Sequence, residues 1–140
     1  MSAIVSDYMV KPALTIHEDA PLAEAVQKML DSVDGLKILA VINHERELVG
    51  IVSASDLIRE MARDIKLQPM RIVDVMTKRQ RVVTVTPETS MIDAVEAMVR
   101  DRLRNLVVVS GWDCVGILNQ NSILTWWRRE IADDTGRRSV

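Results

Sequence analysis

The hydrophobic positions of this chain change period along its length. Leu22, Ala25, Val26, Met29 and Leu30 follow the spacing i, i+3, i+4, i+7, i+8, which places them on one face of a helix. In the second half the residues Met91, Val95, Met98 and Val99 give a similar face. Asp19, with Pro21 in the first turn, is the expected N-cap of the first helix, and Ser90, with Asp93 three residues on, that of the second.

Two apolar runs follow the first of these helices. ILAVI (38–42) and LVGIV (48–52) are separated by the polar NHERE (43–47), which predicts a hairpin of two strands buried on both faces. The segment SDLIREMARDI (55–65) then returns to helical spacing, with Leu57, Ile58, Met61 and Ile65 on one side. A short strand at 14–16 precedes the first helix. Its crossover to the hairpin predicts a parallel pair, and hence a small mixed sheet.

The same order of elements occurs twice. VSDYM (5–9) corresponds to IVDVM (72–76), and LAEAVQKML (22–30) to MIDAVEAMV (91–99). LAVI (39–42) corresponds to LVVV (106–109), and VGIVSASDLI (49–58) to VGILNQNSIL (115–124). We therefore predict an α/β (α+β) protein with two tandem βαββα repeats, residues 4–66 and 72–130, that share one core. Residues 67–71 are the predicted linker and residues 131–140 a flexible tail.

Composition excludes several classes of protein. The net charge of −2 gives no general attraction to nucleic acid or to an acidic membrane. Cys114 is the single cysteine, which fits a reducing compartment, and no apolar run reaches the roughly 18 residues of a membrane span. The amino terminus lacks the order of a signal peptide. We expect a soluble cytoplasmic protein without nucleic-acid or membrane partners.

The ordered blocks, closed by the segment GIVSASD (50–56), resemble the cystathionine-β-synthase (CBS) domain family over about residues 4–127. The resemblance implies a pair of repeats related by a pseudo-twofold axis, with two clefts between them. It also implies an adenosine-containing ligand, such as AMP, ADP, ATP, S-adenosylmethionine or NAD. Homodimers commonly form in this family through the helices that follow residues 53 and 119.

Two interpretations of the segment GIVSASD remain open. Ser53 and Asp56 fit the pattern of a capping box at the start of a helix. In the matched family motif, the serine approaches ribose or phosphate and the aspartate binds the ribose hydroxyls, as a carboxylate can. In the second copy Asn119 and Ser122 replace them, so the cap is kept and the carboxylate is lost. The second cleft is therefore expected to be weaker or empty.

The resemblance places further residues in the first cleft. Ala13, Thr15 and Ile16 are expected to line it, together with Ile38, Leu39 and Ala40, although the family usually has proline where Ala40 stands. Arg102 and Arg104 are candidates for a phosphate contact from the other repeat, and Lys37 is their counterpart in the first copy. Solvated charge at a helix end is the alternative for both arginines.

Other polar and aromatic residues are expected to have structural roles. His17 and His44 lack the spacing of a metal site, and Cys114 is expected to be a small core residue. The adjacent Trp126 and Trp127 point about 100° apart on a helix, so both cannot face one core.

No catalytic motif or catalytic cofactor is indicated. The sequence thus predicts a non-enzymatic regulatory module, with an adenine nucleotide as regulatory ligand and an effector protein that it does not name. The alternative is a ligand-free structural or interaction module.

Overall fold

The computed structural model of the protein describes residues 3–33 and 35–132. The strands are β1 (Thr15–His17), β2 (Ile38–Ile42), β3 (Leu48–Ser53), β4 (Thr77–Lys78), β5 (Thr84–Val85), β6 (Asn105–Ser110) and β7 (Asp113–Asn119). The α-helices are α1 (Leu22–Leu30), α2 (Ala54–Arg63), α3 (Ile72–Val75), α4 (Met91–Arg100) and α5 (Gln120–Trp126). Single 3₁₀ turns occupy Val5–Asp7 and Arg79–Arg81, and a wider π-type turn occupies Trp127–Ala132. Within the described ranges, no helix is long and apolar enough to cross a bilayer.

Two small sheets form, and the first confirms the predicted mixture of strand directions. Its order is β1-β2-β3-β4, with β1 parallel to β2 and the other neighbours antiparallel. The second sheet has the order β5-β6-β7, with β5 parallel to β6. The α+β class and the βαββα order of each repeat are thus as the sequence predicts.

The compact units of the structure do not coincide with the sequence repeats. The first unit contains Ala13–Val82 together with Gly111–Cys114. The second unit contains Val83–Ser110 together with the described parts of 1–12 and 115–140. Val5, from the start of the first repeat, is fully buried in the core of the second unit. Ile72, from the start of the second repeat, is fully buried in the core of the first. Each unit therefore contains the opening segment of the other repeat.

Two glycines allow these exchanged segments to approach a strand closely. A Cβ atom on Gly50 of β3 would lie 2.5 Å from the carbonyl oxygen of Thr77. A Cβ atom on Gly116 of β7 would lie 2.7 Å from Sδ of Met9 and 3.0 Å from the carbonyl oxygen of Val10. The glycine that opens GIVSASD and GILNQNS is therefore needed because another backbone crosses the strand there.

Some local expectations are wrong in detail. Helix α1 has Pro21 as its N-cap with no side-chain cap, and Asp19 lies outside it. Ser90 does cap α4, since its hydroxyl accepts from the amide of Asp93 at 3.1 Å. Helix α2 ends at Arg63, so Ile65 lies beyond it and is 77 % exposed. Strand β2 is buried on both faces, whereas burial alternates along β3. Of the predicted tail 131–140, residues 131 and 132 belong to the π-type turn, and residues 133–140 lie outside the described residues.

Candidate functional site

The turn between β3 and α2 places Ser53 and Asp56 in direct contact. Ser53 has extended backbone angles and is the N-cap of α2. Its hydroxyl accepts a hydrogen bond from the amide of Asp56 at 3.2 Å, and its own amide donates to Oδ2 of Asp56 at 2.8 Å. The reciprocal pair is a capping box, which satisfies amides that the first helical turn leaves without a partner.

The carboxylate of Asp56 makes additional contacts. Oδ2 also accepts from the hydroxyl of Ser53 at 2.9 Å, while Oδ1 pairs with Nη1 of Arg59 at 3.2 Å. The side chain of Asp56 is 17 % exposed, whereas that of Arg59 is 68 % exposed. Each carboxylate oxygen can accept about two hydrogen bonds. Oδ1 is therefore the oxygen that remains available for a further donor, with an exposed arginine as its present partner.

Several of the predicted site residues lie on one face of the first sheet. Thr15 pairs with Ala40 across β1 and β2, and Ile38 pairs with Ser53 across β2 and β3. Paired residues of neighbouring strands point to the same face, and residues two apart along a strand also share a face. Thr15, Ile38, Ala40 and Ser53 therefore share one face, which we call the Ser53 face. Ala13, half-buried, lies two residues before Thr15.

Two predicted lining residues lie on the opposite face. Ile16 is 2 % exposed, Leu39 is fully buried, and both belong to the hydrophobic core of the first unit. Because side chains alternate along a strand, they point away from the Ser53 face. Ala40 also has a backbone role, since its amide donates to the carbonyl of Leu14 at 2.9 Å. A proline at this position could not make that bond, so the departure from the family pattern adds a hydrogen bond.

The second copy keeps the cap and lacks the carboxylate. The side-chain oxygen of Asn119 accepts from the amide of Ser122 at 2.8 Å, and the hydroxyl of Ser122 accepts from the amide of Asn119 at 3.3 Å. Arg102 and Arg104 belong to this second unit and are exposed. Arg102 has a φ of 54°, in the left-handed region, directly after α4.

Each unit carries an exposed apolar groove between its two main helices. In the second unit a groove of about 430 Å³ lies between α4 and α5 and includes Val99 and Leu124, which are 74 % and 67 % exposed. In the first unit a groove of about 160 Å³ lies between α1 and α2 and includes Leu30 and Ile58, which are 70 % and 63 % exposed. Leu30, Ile58 and Val99, which the spacing places on apolar helix faces, are thus found at the surface.

The two tryptophans and Cys114 differ in their burial. Trp126 packs against the core of the second unit, whereas Trp127 is 54 % exposed, so the two tryptophans do face different surroundings. Cys114 lies in β7 and is half-buried.

The hydroxyl of Tyr8 donates a hydrogen bond to the carboxylate of Glu130. That bond raises the pKa of Tyr8 above its ordinary value of 10.0, with smaller contributions from burial and from the negative charge of Glu130.

The structure brings together a cluster that the sequence spacing does not indicate. His17, at the end of β1, and His44, in the turn between β2 and β3, lie with their ring centroids 4.2 Å apart. Asp19 lies beside both rings. The residues are separated by as many as 27 positions in sequence, and the pairing of β1 with β2 places them side by side. The expectation that the histidines lack metal-ligand neighbours does not hold in space.

The family assignment follows from both repeats. The family model of the CBS domain matches residues 5–63 and 72–129, which is most of the chain. The protein therefore belongs to the CBS domain family, as the ordered blocks of its sequence indicate.

Relatives in sequence are similar over much of this chain. The protein is 23 % identical over 107 residues to the CBS domain-containing protein CBSX3, mitochondrial, of Arabidopsis thaliana, covering 76 % of this chain and 52 % of that protein. The chain spans about half the length of the first relatives that it matches, at 52 % and 48 % of theirs.

Solved structures confirm the fold. The CBS domain pair of protein MJ0100, in complex with 5′-methylthioadenosine and S-adenosyl-L-methionine, aligns with a TM-score of 0.78 at 21 % identity. The alignment covers 91 % of this chain and 98 % of that one. CBSX2 in complex with AMP aligns with a TM-score of 0.71 at 23 % identity, covering 87 % and 93 %. This chain shares the CBS-pair architecture with both.

Proposed function

We propose that this protein is a regulatory CBS-pair module that binds an adenosine-containing ligand, with AMP, ADP or ATP preferred, at the Ser53–Asp56 turn. It acts in the cytoplasm without chemistry of its own. Its output is a change in self-association or in the binding of an effector protein, because a ligand shifts an equilibrium only by its differential affinity for two states. The observation that carries the proposal is the carboxylate of Asp56 at the start of α2, beside the Ser53 face.

The geometry of the turn supports a ribose contact. Oδ2 of Asp56 is held by two bonds from Ser53, at 2.8 and 2.9 Å, which fixes the direction of the carboxylate. Oδ1 then presents a charged acceptor, and hydrogen bonds to charged groups are the strong ones. The same carboxylate can therefore cap the helix through one oxygen and accept from a vicinal diol through the other.

Arg59 is the present partner of Oδ1 of Asp56, so a bound ligand would have to displace it at least in part. Exposed ion pairs contribute about 0–1 kcal/mol, so releasing Arg59 costs little. The variant Arg59→Gln should therefore bind the ligand as well as the parent protein or slightly better. If Arg59→Gln loses affinity instead, the arginine does not merely compete with the ligand for Oδ1.

Thr15 on the Ser53 face provides a hydroxyl for the nucleoside and is half-buried. Ile38 and Ala40 share that face but are 4 % and 0 % exposed, so they support the site and offer it little open surface. A phosphate contact by the exposed Arg102 and Arg104 is tested separately. Arg102→Gln and Arg104→Gln should weaken the binding of AMP while the binding of adenosine is unchanged, and equal weakening of both ligands would contradict a phosphate contact.

Binding is tested best with a variant that imitates the second copy. The change Asp56→Ser reproduces the residue of the weaker copy, Ser122, and so removes the carboxylate while a cap remains possible. Calorimetry of protein freed of copurified nucleotide should show binding of at least one of AMP, ADP, ATP, S-adenosylmethionine and NAD. Asp56→Ser should reduce that affinity at least about tenfold, as expected for the loss of a charged hydrogen bond of about 1.5–3 kcal/mol.

The alternative function is an interaction module that uses no ligand. The contacts of Asp56 with Ser53 and Arg59 favour it, because a pure cap would show these same contacts. Absence of binding by all five compounds would support this alternative. If S-adenosylmethionine or NAD binds more tightly than AMP, ADP and ATP, the proposed site stands but its preferred ligand is different.

A homodimer is the proposed assembly. The grooves that contain Leu30 and Ile58 in one unit and Val99 and Leu124 in the other are apolar, exposed and equivalent in the two repeats. They involve α2 and α5, the helices that follow residues 53 and 119, through which homodimers of this family commonly form. Exposed apolar surface of this kind is typical of interfaces.

A further inference from the structure

The cluster of His17, Asp19 and His44 forms a connected network on the first unit. Nε2 of His17 and Nδ1 of His44 lie 3.1 Å apart, and the amide of Asp19 donates to Nδ1 of His17 at 3.1 Å. The carboxylate Oδ2 of Asp19 lies 3.7 Å from Nδ1 of His17 and 3.5 Å from Nε2 of His44. Two imidazoles and a carboxylate thus converge from two different parts of the chain.

The network implies one arrangement of protons. Since Nδ1 of His17 accepts from the amide of Asp19, its Nε2 carries the proton and donates to Nδ1 of His44. Nε2 of His44 then carries the second proton and faces the carboxylate of Asp19. In this arrangement the Asp19 amide and Nε2–H of His17 use the lone pairs of the two rings, so a metal ion would replace these hydrogen bonds.

Distances in the cluster are longer than those around a single metal ion and can be closed by side-chain rotation. Zinc bonds of about 2.0–2.1 Å in a tetrahedron place the ligand atoms about 3.3 Å apart. One ligand atom from each of the three residues can be chosen so that all lie within 4.8 Å of one another. The side chains of Asp19 and His44 are 67 % and 81 % exposed, so both can rotate to close the remaining difference.

We propose that His17, Asp19 and His44 form a binding site for a divalent transition-metal cation, with Zn²⁺ as the preferred ion. Two imidazoles with one carboxylate suit Zn²⁺, whereas Mg²⁺ and Ca²⁺ prefer sites made only of oxygen. Three protein ligands leave a position for water, so the site is open. It belongs to the first repeat alone, because the chain contains only two histidines, and Thr86 follows β5 where His17 ends β1.

The position of the site gives the ion a structural consequence. His17 is the last residue of β1 and pairs with Ile42, the last residue of β2. His44 lies two residues after Ile42, in the turn that follows β2. A shared ion would therefore tie the end of β1 to the β2–β3 turn. His17 and Thr15 are two residues apart on β1 and share a face, whereas the tied end, at Ile42, is the end of β2 opposite to Ile38 and Ser53.

Binding of Zn²⁺ can be measured directly, because the protein has only two histidines. Protein without a histidine tag should be titrated with ZnCl₂ alone, by calorimetry and by imidazole nitrogen NMR. One equivalent should bind, and both imidazoles should shift together. His17→Gln, His44→Asn and Asp19→Asn should each weaken binding at least about tenfold, the lower range for disturbing a metal site.

Two variants serve as controls. Glu45→Gln removes an acidic group next to His44, and Cys114→Ser removes the single thiol; both should bind Zn²⁺ like the parent protein. His44 is 81 % exposed, so loss of binding in His44→Asn cannot be attributed to unfolding. The proposal is overturned if no Zn²⁺ binds, if the histidine variants bind it unchanged, if Cys114→Ser abolishes binding, or if Mg²⁺ binds as tightly as Zn²⁺.

Discussion

Oδ2 of Asp56 accepts hydrogen bonds from both the amide and the hydroxyl of Ser53, at 2.8 and 2.9 Å. In the second copy, the amide of Asn119 donates to the hydroxyl of Ser122, and that hydroxyl donates to the side-chain oxygen of Asn119. The same cap is therefore built with a carboxylate in one repeat and without one in the other. A stability measurement can separate the cap from any ligand role.

The first prediction concerns the stability of the α2 cap in the absence of ligand. Asp56→Ala should lower the free energy of unfolding by about 1–2 kcal/mol, because the Ser53 amide loses its acceptor and the first turn of α2 loses half of its capping box. Asp56→Ser should lower it by less than about 1 kcal/mol, because a serine hydroxyl can accept the same bond. Urea denaturation measures both.

Ser122→Ala in the second copy is the matched comparison for this cap. It should be destabilising by an amount similar to Asp56→Ala and should leave nucleotide affinity unchanged. Equal stability of Asp56→Ala and the parent protein would show that the capping box contributes nothing measurable.

The second prediction concerns the two strand glycines. Gly50→Ala should destabilise the protein by about 1–3 kcal/mol, the usual cost of overpacking. The added methyl group would lie 2.5 Å from the backbone oxygen of Thr77. The double variant Gly50→Ala with Met76→Ala should regain little of the lost stability. The closest clash of the new methyl group is with the backbone of Thr77, which a change of the Met76 side chain does not relieve. Thermal or urea unfolding of the single and double variants provides the measurement.

Gly116→Ala is expected to respond differently from Gly50→Ala. Its closest neighbour is the flexible side chain of Met9 at 2.7 Å, with the carbonyl of Val10 farther away at 3.0 Å. Adding Met9→Ala should therefore relieve part of the clash, although it also removes apolar contact. The same sign and size of coupling in both pairs would contradict this distinction between backbone and side-chain clashes.

The third prediction concerns the pKa of Tyr8, the single tyrosine of the chain. Its hydrogen bond to Glu130 raises the pKa in the folded protein. A raised folded pKa stabilises the folded state fully below the unfolded value of about 10, and this stabilisation is lost as pH rises through the folded value. Glu130→Ala should bring the tyrosinate absorbance transition to lower pH, whereas Glu96→Ala, on α4, should leave it in place.

The fourth prediction concerns the apolar grooves. Ile58→Lys and Leu124→Lys should each shift the protein from dimer to monomer, because a charge would have to be buried at the proposed interface. Sedimentation at micromolar concentration measures the mass. Val33 is 99 % exposed and is not among the residues that line either groove, so Val33→Lys should leave the mass unchanged. A parent protein that is already monomeric would contradict the dimer.

Much of the fold follows from local pattern. The spacing of α1 and α4, the continuous apolar run of β2, and the polar turn at 43–47 each specify an element without help from the rest of the chain. The capping residue Ser53 is equally local, because its partner Asp56 lies three positions away. These are the features that a periodicity analysis predicts well.

Other features depend on distant contacts. The sequence places His17 and His44 on separate elements, and only the pairing of β1 with β2 brings them together. The family resemblance implies that Ile16 and Leu39 line a ligand site, whereas strand alternation turns them to the core. An all-apolar run does not show which face of a strand a given residue occupies when both faces are buried. Helix α1 begins after Pro21, and Asp19 lies outside it with its amide donating to Nδ1 of His17.

The exchange of opening segments gives this architecture a consequence for how such a protein could arise. The segment of sequence that is repeated differs from the segment that packs into one compact unit, because each unit contains the opening residues of the other copy. A chain with one copy would carry an opening segment of the kind that packs on the other copy here, and two such chains could complete each other by exchange, as in domain swapping. Duplication would then have placed both partners in one polypeptide, so that a former association between molecules became a property of a single chain.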